Sequence, residues 1–353
     1  VAPELALVFA TPHFRRGAKG ILETLRDSGC GPVVGGCAAG VMTDEGEVEG
    51  SPGLALLLLA GVPARPFAVS APDALRASIA DGGMALAFPD PAAVDLAEMM
   101  RAFEAGAGFV PLIGGALSGG TEKSGHFQFA GEQVQKGGIC GIVFGRVATA
   151  LGVAHGCRPI GRPLVITRSN GHMVLSLGGK PPLEALREVL ETHAASGGKG
   201  GPVMAGIAMD ATRSPLQRGD FIVRNLVAVK TPEGELLAVG TPVKTGQTLM
   251  FQLMDRESAV ADMAEMVSSV RARLPQPPAF GLYVNCRGRG KNLYGETDHD
   301  VLALRTGLGE LPFIGFYGNA EFAPMEARNW LHNYTGVFLA VGEAVGAEPG
   351  SRA

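Results

Sequence analysis

The segment Gly31-Pro-Val-Val-Gly-Gly-Cys-Ala-Ala-Gly40 is a short apolar run that leads into a glycine loop. The chain repeats this pattern 79 residues later as Val110-Pro-Leu-Ile-Gly-Gly-Ala-Leu-Ser-Gly119, with the proline and the glycine pair in the same places. A short apolar run bounded by turn residues is typical of a buried strand. The sequence therefore contains two copies of a strand that ends in a glycine loop.

The elements on either side of the two segments follow one order. Apolar strands begin at Leu5 and Met84, amphipathic helices follow them, and closing strands begin at Leu54 and Ile139. Self-similarity over this distance predicts a duplicated β-α-β-β unit, which is too long to be a solenoid repeat.

Two further copies follow with weaker matches. The third has a strand from Phe280, a helix from Asp298, the segment Leu311-Pro-Phe-Ile-Gly-Phe-Tyr-Gly-Asn319 and a closing strand from Gly336. The fourth, over about residues 173–229, keeps the element order but few of the residues.

The alternation of helices and hairpins indicates the fold class. It predicts an α/β fold of mixed α+β character, in two lobes of repeated β-α-β-β units, with mixed sheets and helices packed on one face. Turn-forming residues cluster between Arg158 and Gly171, which favours an N-terminal domain over residues 1–170 and a C-terminal domain over residues 171–345.

Composition narrows the class of protein. The chain has 353 residues, 18% of them charged, and a net charge of -4, which argues against a nucleic-acid binder with a basic face. The longest apolar run, Leu54 to Val62, is far below the ~20 residues that span a bilayer, and no secretory signal is visible at Val1. Five widely spaced cysteines indicate reduced thiols, so we expect a soluble cytoplasmic protein.

Three segments resemble a known family. They are Val34-Gly-Gly-Cys-Ala-Ala-Gly40, Asn285-Cys-Arg-Gly-Arg-Gly290 and Pro312-Phe-Ile-Gly-Phe-Tyr-Gly-Asn-Ala-Glu321. The first resembles the strand and loop of FIST N-terminal domains, and the other two resemble motifs of FIST C-terminal domains. Each motif is weakly specific, but their order and separation make the resemblance strong. It implies a sensory, ligand-binding module for small ligands such as amino acids, with a signalling protein as partner.

The candidate ligand-binding residues lie in or beside the strand-end loops. They are Cys37, Gly40, Ser118, Cys286, Arg287, Arg289, Asn319, Glu321 and His332. Glycines around Arg289 allow backbone N–H groups and the guanidinium to meet an anion, and the neighbouring cations favour a thiolate at Cys286. With Glu321 binding an amine and Arg289 a carboxylate, the loops suit an amino-acid zwitterion.

A structural explanation of the same residues stays open. Arg289 can pair with an acid such as Glu321, Cys37 and Cys286 can be small core residues, and His332 can orient a turn rather than border a cleft.

Three functions follow in order of preference. The first is a non-catalytic sensor of amino acids or other small carboxylates, with no cofactor, no metal, no nucleic acid and no membrane among its partners. P-loop, G-x-G-x-x-G and G-x-S-x-G patterns are absent from the sequence, as is metal-ligand spacing. The alternatives are a protein-interaction scaffold and an enzyme in which Cys286 is an activated nucleophile.

Overall fold

The computed structural model describes residues 2–79, 83–104, 108–121, 125–232, 234–275 and 277–344. The strands in these ranges are β1 (Leu5–Ala10), β2 (Val33–Cys37), β3 (Gly40–Thr43), β4 (Gly46–Glu49), β5 (Leu54–Leu59), β6 (Ala64–Val69), β7 (Met84–Pro89), β8 (Leu112–Ala116), β9 (Phe127–Gly131), β10 (Gln133–Lys136), β11 (Ile139–Phe144), β12 (Val147–Ala154), β13 (Cys157–Pro159), β14 (Leu164–Asn170), β15 (Met173–Leu177), β16 (Val203–Ala208), β17 (Phe221–Arg224), β18 (Leu226–Thr231), β19 (Gly234–Val239), β20 (Thr248–Met254), β21 (Pro278–Cys286), β22 (Phe313–Gly318), β23 (Ala320–Met325), β24 (Arg328–His332) and β25 (Gly336–Ala344).

The α-helices in the same ranges are α1 (Ala18–Asp27), α2 (Pro72–Ile79), α3 (Leu96–Glu104), α4 (Pro182–Ala195), α5 (Arg256–Arg273), α6 (Lys291–Tyr294) and α7 (His299–Leu308). A short 3-10 helix, Pro12–Phe14, precedes α1. No helix formed by the described residues is long and apolar enough to cross a membrane.

Contacts divide the chain into two compact units. The large unit combines residues 1–154 with 263–353, and the small unit consists of residues 155–262. The domain boundary near residue 170 stays a prediction from sequence composition.

Three sheets of the large unit share one arrangement. Each contains a parallel pair, namely β1 with β2, β7 with β8 and β21 with β22, and a closing strand that runs antiparallel to the first strand of the pair. The closing strands are β5, β11 and β25. The mixture of parallel and antiparallel pairs, with helices between the paired strands, confirms the predicted mixed α/β fold class.

Each of these sheets is completed by a hairpin from a different part of the chain. The hairpin β3–β4 follows β2 but pairs with β22, β9–β10 follows β8 but pairs with β2, and β23–β24 follows β22 but pairs with β8. The three sheets are therefore linked in a ring of exchanged hairpins.

The first glycine of the repeated segment allows the parallel strands to approach. A Cβ at Gly35 would lie 2.1 Å from the carbonyl oxygen of Val8, and one at Gly114 would lie 2.2 Å from that of Ala87. Their φ angles, 135° and 138°, lie in the region that favours glycine. Glycine is thus required at the same place in both pairs.

Aromatic side chains join the three sheets in the core. The ring centroids of Phe9 and Phe316 are 4.3 Å apart, those of Phe9 and Phe88 are 5.1 Å apart, and those of Phe88 and Phe316 are 5.8 Å apart. The three rings come from β1, β7 and β22, so each sheet contributes to one packed centre.

The small unit has a different sheet. Its strand order is β17-β16-β20-β14-β15-β19-β18, with β13 paired to β20, and its described pairs are antiparallel. Its core includes Val189 of α4 and Phe251 of β20. The predicted fourth copy has its elements here in the expected order, as β15, α4, β16 and β17, but without the parallel pairing of the other copies.

Candidate functional site

The loops that follow the parallel pairs meet in the large unit. Ser118 N donates to the carbonyl oxygen of Cys37 over 3.2 Å, and Asn319 N donates to that of Ala116 over 3.0 Å. Each bond joins loops of two different sheets. The strand ends that the sequence analysis singled out are therefore brought together.

Ser118 links three of these loops through its side chain. The hydroxyl donates to the carbonyl oxygen of Tyr317 and accepts a 2.8 Å hydrogen bond from Ala39 N. Ser118 is fully buried. Its observed contacts hold the loops to one another.

Cys37 and Gly40 also lie in packed surroundings. Cys37 is fully buried at the end of β2, and burial raises the pKa of its thiol to about 12. A Cβ at Gly40 would lie 2.8 Å from Cδ2 of Tyr317, so a larger residue would displace that ring. The loop from Cys37 to Gly40 is thus closely packed.

Arg289 forms an ion pair with Asp300 in the protein interior. The Arg289 side chain is fully buried, and its Nη2 donates to Asp300 Oδ2 over 3.3 Å and to the hydroxyl of Tyr294 over 2.6 Å. Nη1 lies 3.5 Å from the carbonyl oxygen of Ala154. The structural pairing considered for Arg289 thus exists, but its acid is Asp300 rather than Glu321.

Polar side chains surround the Asp300 carboxylate. It accepts hydrogen bonds from the Tyr283 hydroxyl over 2.8 Å and from Asn285 Nδ2 over 3.0 Å, and His299 Nδ1 lies 3.1 Å from Oδ1. Burial alone would raise the pKa of Asp300, but the Arg289 guanidinium and the hydrogen bonds hold it well below its ordinary value.

Glu321 is a buried carboxyl group with incomplete hydrogen bonding. Its Oε2 accepts from Thr335 N over 3.3 Å, and the Cys286 thiol also donates to the carboxylate. Its Oε1 has no hydrogen-bond partner within the part of the chain that the structure describes. Burial raises the pKa of Glu321, and the nearby charge of Arg289 opposes this only in part.

The structure corrects the expectation that neighbouring cations favour a thiolate at Cys286. Burial and the Glu321 carboxylate raise the pKa of the thiol. The Arg287 side chain is exposed and Arg289 is paired with Asp300, so neither cation offsets these effects.

Arg287 and Asn319 form the outer part of the cluster. Arg287 Nη1 donates to Asn319 Oδ1 over 3.2 Å, and Asn319 Nδ2 donates to the carbonyl oxygen of Leu117 over 2.8 Å. Asn319 is half-buried. Of the two arginines in the Cys286–Gly290 loop, Arg287 is therefore the one that can meet a molecule from solvent.

His332 lies opposite Glu321 in the pairing of β23 and β24. It is buried, and its Nε2 lies 3.3 Å from the carbonyl oxygen of Ala323.

A groove of about 750 Å³ lies elsewhere, beside α7, and none of the nine candidate residues lines it.

A second buried polar pair was missed by the sequence analysis. His126 Nδ1 and Asp90 Oδ1 are 2.7 Å apart, and both side chains are almost fully buried. Asp90 comes directly after β7, at the position that corresponds to Cys286 at the end of β21. Asp90 N donates to the carbonyl oxygen of Gly138, which directly precedes the closing strand β11. In the same way Cys286 N donates to that of Thr335, which directly precedes β25. An alignment of β7 with β21 could therefore have identified Asp90 as a candidate site residue. Asp300, the partner of Arg289 on α7, has no such sequence signal.

The described ranges place no group of three or more histidine, cysteine, aspartate or glutamate side chains where it could hold a metal ion. Arg287 can meet an anionic group, and the free oxygen of Glu321 can accept from a donor.

Comparison with known proteins gives matches over most of the chain. The model of the FIST N domain matches residues 4–180, and that of the FIST C domain matches residues 182–324. The chain is 29% identical over 348 residues to "Uncharacterized protein Rv0628c" of Mycobacterium tuberculosis strain H37Rv, covering 94% of this chain and 90% of the relative. It is 28% identical over 347 residues to "Uncharacterized protein Mb0898c" of Mycobacterium bovis, covering 95% and 89%.

Proposed function

The chain belongs to the FIST domain family, and on this premise we propose that it is a non-catalytic module that binds a small zwitterion or carboxylate. Domains of this family are associated with sensory signal transduction. The bound ligand would provide the signal, and a signalling protein in the cytoplasm would receive it.

The incomplete hydrogen bonding of Glu321 carries the proposal. A buried polar oxygen without a partner costs about 1–3 kcal/mol, so a ligand that supplies a donor to Oε1 recovers this free energy on binding. An ammonium group is a suitable donor because its charge also stabilises the ionised form of the Glu321 carboxyl group, which burial disfavours. Access to Glu321 requires a local opening of the structure, since its side chain is fully buried.

Arg287 supplies the complementary charge. Its exposed guanidinium, which is hydrogen-bonded to Asn319, would bind a carboxylate at the outer side of the cluster. An amino acid carries both an ammonium and a carboxylate group, which is why this ligand class fits better than a simple anion.

The other candidate residues have supporting roles in this proposal. Ser118, Gly40 and Cys37 fix the loops, and Arg289 supports the Cys286–Gly290 loop through Asp300. The Cys286 thiol donates to the Glu321 carboxylate, and His332 lies opposite Glu321 on β24. The raised pKa of the Cys286 thiol argues against the alternative of a cysteine nucleophile.

The test is a thermal-shift screen of the full chain against the common amino acids, with acetate and methylamine as ligands of a single charge. A ligand that binds only the folded state adds about 2.7 kcal/mol at 100 times its Kd. We expect at least one amino acid to raise the Tm more than acetate or methylamine does.

Two variants and one control locate the site. The shift should be lost in Arg287→Ala and in Glu321→Gln, and retained in Arg101→Ala, which removes an exposed arginine of α3. The proposal is wrong if no amino acid shifts the Tm, or if the shift is the same in Arg287→Ala as in the wild type.

A further inference from the structure

The strand β5 forms one edge of the sheet β10-β9-β2-β1-β5. It pairs antiparallel with β1, from Leu5 opposite Leu59 to Ala10 opposite Leu54. Within the described ranges, no strand pairs with its other side. This side of β5 is therefore an open sheet edge.

The corresponding closing strands of the other two sheets have a second neighbour. β11 pairs antiparallel with β7 on one side and with β6 on the other, and β25 pairs antiparallel with β21 and with β12. The position beside β5 thus matches one that an antiparallel strand occupies in both other sheets.

The backbone of alternate β5 residues points to the open edge. Glu4 N donates to the carbonyl oxygen of Leu59 over 2.8 Å, and Thr11 N donates to that of Gly53 over 2.9 Å, so the odd-numbered residues face β1. Successive residues of a strand direct their hydrogen-bonding groups to opposite sides. The outward N–H and C=O groups therefore belong to Leu54, Leu56 and Leu58.

The same three leucines also expose their side chains. Leu54, Leu56 and Leu58 are 40%, 39% and 47% exposed. Exposed edges of natural sheets usually carry lysine, proline or a bulge that prevents pairing with another chain. The β5 sequence Leu-Ala-Leu-Leu-Leu-Leu has no charged residue and no proline.

We propose that β5 pairs antiparallel with β5 of a second copy of this chain, about a two-fold axis that passes beside Leu56. In this register Leu56 lies opposite its own equivalent and Leu54 lies opposite Leu58. The leucines of both copies then share one face, because opposite residues of an antiparallel pair point to the same side.

A second copy fits this edge better than a partner with a charged strand. The outward groups of Leu54, Leu56 and Leu58 can meet those of an identical strand without bringing like charges together. A two-fold dimer needs only one self-complementary patch on each copy. Two-fold dimers are also the commonest soluble homo-oligomers. The result is a single sheet of ten strands across the two copies.

The experiment measures the mass of the full chain in solution by light scattering after gel filtration. A concentration of about 100 µM is appropriate, because one pair of edge strands is smaller than the ~1,200 Å² of a stable interface. We expect the wild type to have twice the 36.4 kDa mass of one chain. A monomeric wild type at this concentration would overturn the proposal.

The variant Leu56→Lys tests the register. It places two like charges opposite each other at the axis, so we expect a monomer with an unchanged circular dichroism spectrum. The matched control is Val227→Lys, at a 57% exposed residue of the edge strand β18, and it should remain dimeric. If Leu56→Lys does not fold, Leu58→Lys replaces it: this change puts a lysine opposite Leu54 of the second copy, at a more exposed position, and should also give a monomer.

A charge-swapped mixture provides a positive result. Leu56→Lys and Leu56→Glu should each be monomeric alone and should associate when mixed, because opposite charges then face each other. A dimeric Leu56→Lys, or a mixture that stays monomeric, would contradict the assignment of the axis to Leu56.

Discussion

Arg289 and Glu321 both have ionisable side chains without exposed surface, but their surroundings differ. Arg289 has a carboxylate partner that several donors support, whereas Glu321 is left with a free oxygen. Removing one partner of a buried ion pair leaves a charge that nothing compensates. The two residues therefore lead to different predictions.

Arg289→Met should destabilise the protein by about 3–5 kcal/mol, because it removes the arginine cation that is paired with the buried Asp300 carboxylate. Urea unfolding measures the change. The control Arg26→Ala breaks a pair with Asp27 whose side chains are 67% and 72% exposed, and it should cost less than about 1 kcal/mol. A loss below about 1 kcal/mol in Arg289→Met would show that Asp300 does not depend on Arg289.

Glu321→Gln should change the dependence of stability on pH. Since the pKa of Glu321 is raised on folding, the folded state binds its proton more tightly than the unfolded state. The contribution of Glu321 to stability is therefore present below the ordinary Glu pKa of about 4.3 and is lost as the pH rises through the raised value.

Glutamine does not ionise, so the variant does not lose stability in this way. The free energy of unfolding of Glu321→Gln should therefore increase relative to that of the wild type as the pH rises above about 4.3. Urea unfolding of both proteins over this pH range measures the difference. Parallel pH profiles would contradict the assignment of a raised pKa to Glu321.

At this scale the sequence singled out the strand-end loops, but it did not show how their residues pair. Arg289 was expected near Glu321, which lies in a motif, whereas its partner Asp300 lies in the first turn of α7. Only the packing of α7 against β21 brings the two together. The pKa of Cys286 was misjudged for the same reason, since sequence neighbours do not show which side chains face solvent.

The strands and helices of the repeated units were predicted in the right order because their apolar periodicity is clear, but elements outside the units, such as α5, were not predicted. The helix predicted after the first strand is α1 at Ala18–Asp27, and a short 3-10 helix at Pro12–Phe14 precedes it. Strand partners were not predicted, because a hairpin such as β3–β4 carries no sequence signal for the distant β22. The repeated glycine was a reliable guide, since it marks the close approach of a parallel pair.

Gly35→Ala should therefore destabilise the protein by more than about 3 kcal/mol, since its Cβ would clash with the Val8 carbonyl oxygen at a positive φ. The control is Gly20→Ala in α1, where a Cβ meets nothing within 4 Å. In a helix this change should stabilise the protein by up to about 1 kcal/mol. Thermal and urea unfolding compare the two, and equal effects would refute the role of Gly35.

Over the whole chain, the sequence located the three related sheets but not the extent of the small unit. Every hydrophobic cluster of the described residues draws its members from one unit. The first and last residues of the small unit lie close together in space, because the N–H groups of His155 and Gly156 donate to the Asp262 carboxylate. This closeness depends on tertiary structure and has no sequence signature.

The large unit should therefore fold without the small one. A chain in which a short glycine-serine linker replaces residues 155–262 should keep its β-sheet circular dichroism spectrum and a cooperative thermal transition. Loss of cooperativity would show that the large unit depends on the small unit for its stability.

The exchanged hairpins have a consequence for synthesis on the ribosome. The strand β3 ends at Thr43, but its partner β22 begins at Phe313, roughly 270 residues later. At ~5–20 residues per second the nascent hairpin waits about 15–55 s for its partner. Throughout that interval the apolar side chains of β3 lack their final neighbours, so the nascent chain exposes apolar surface for longer than a protein whose sheets close locally.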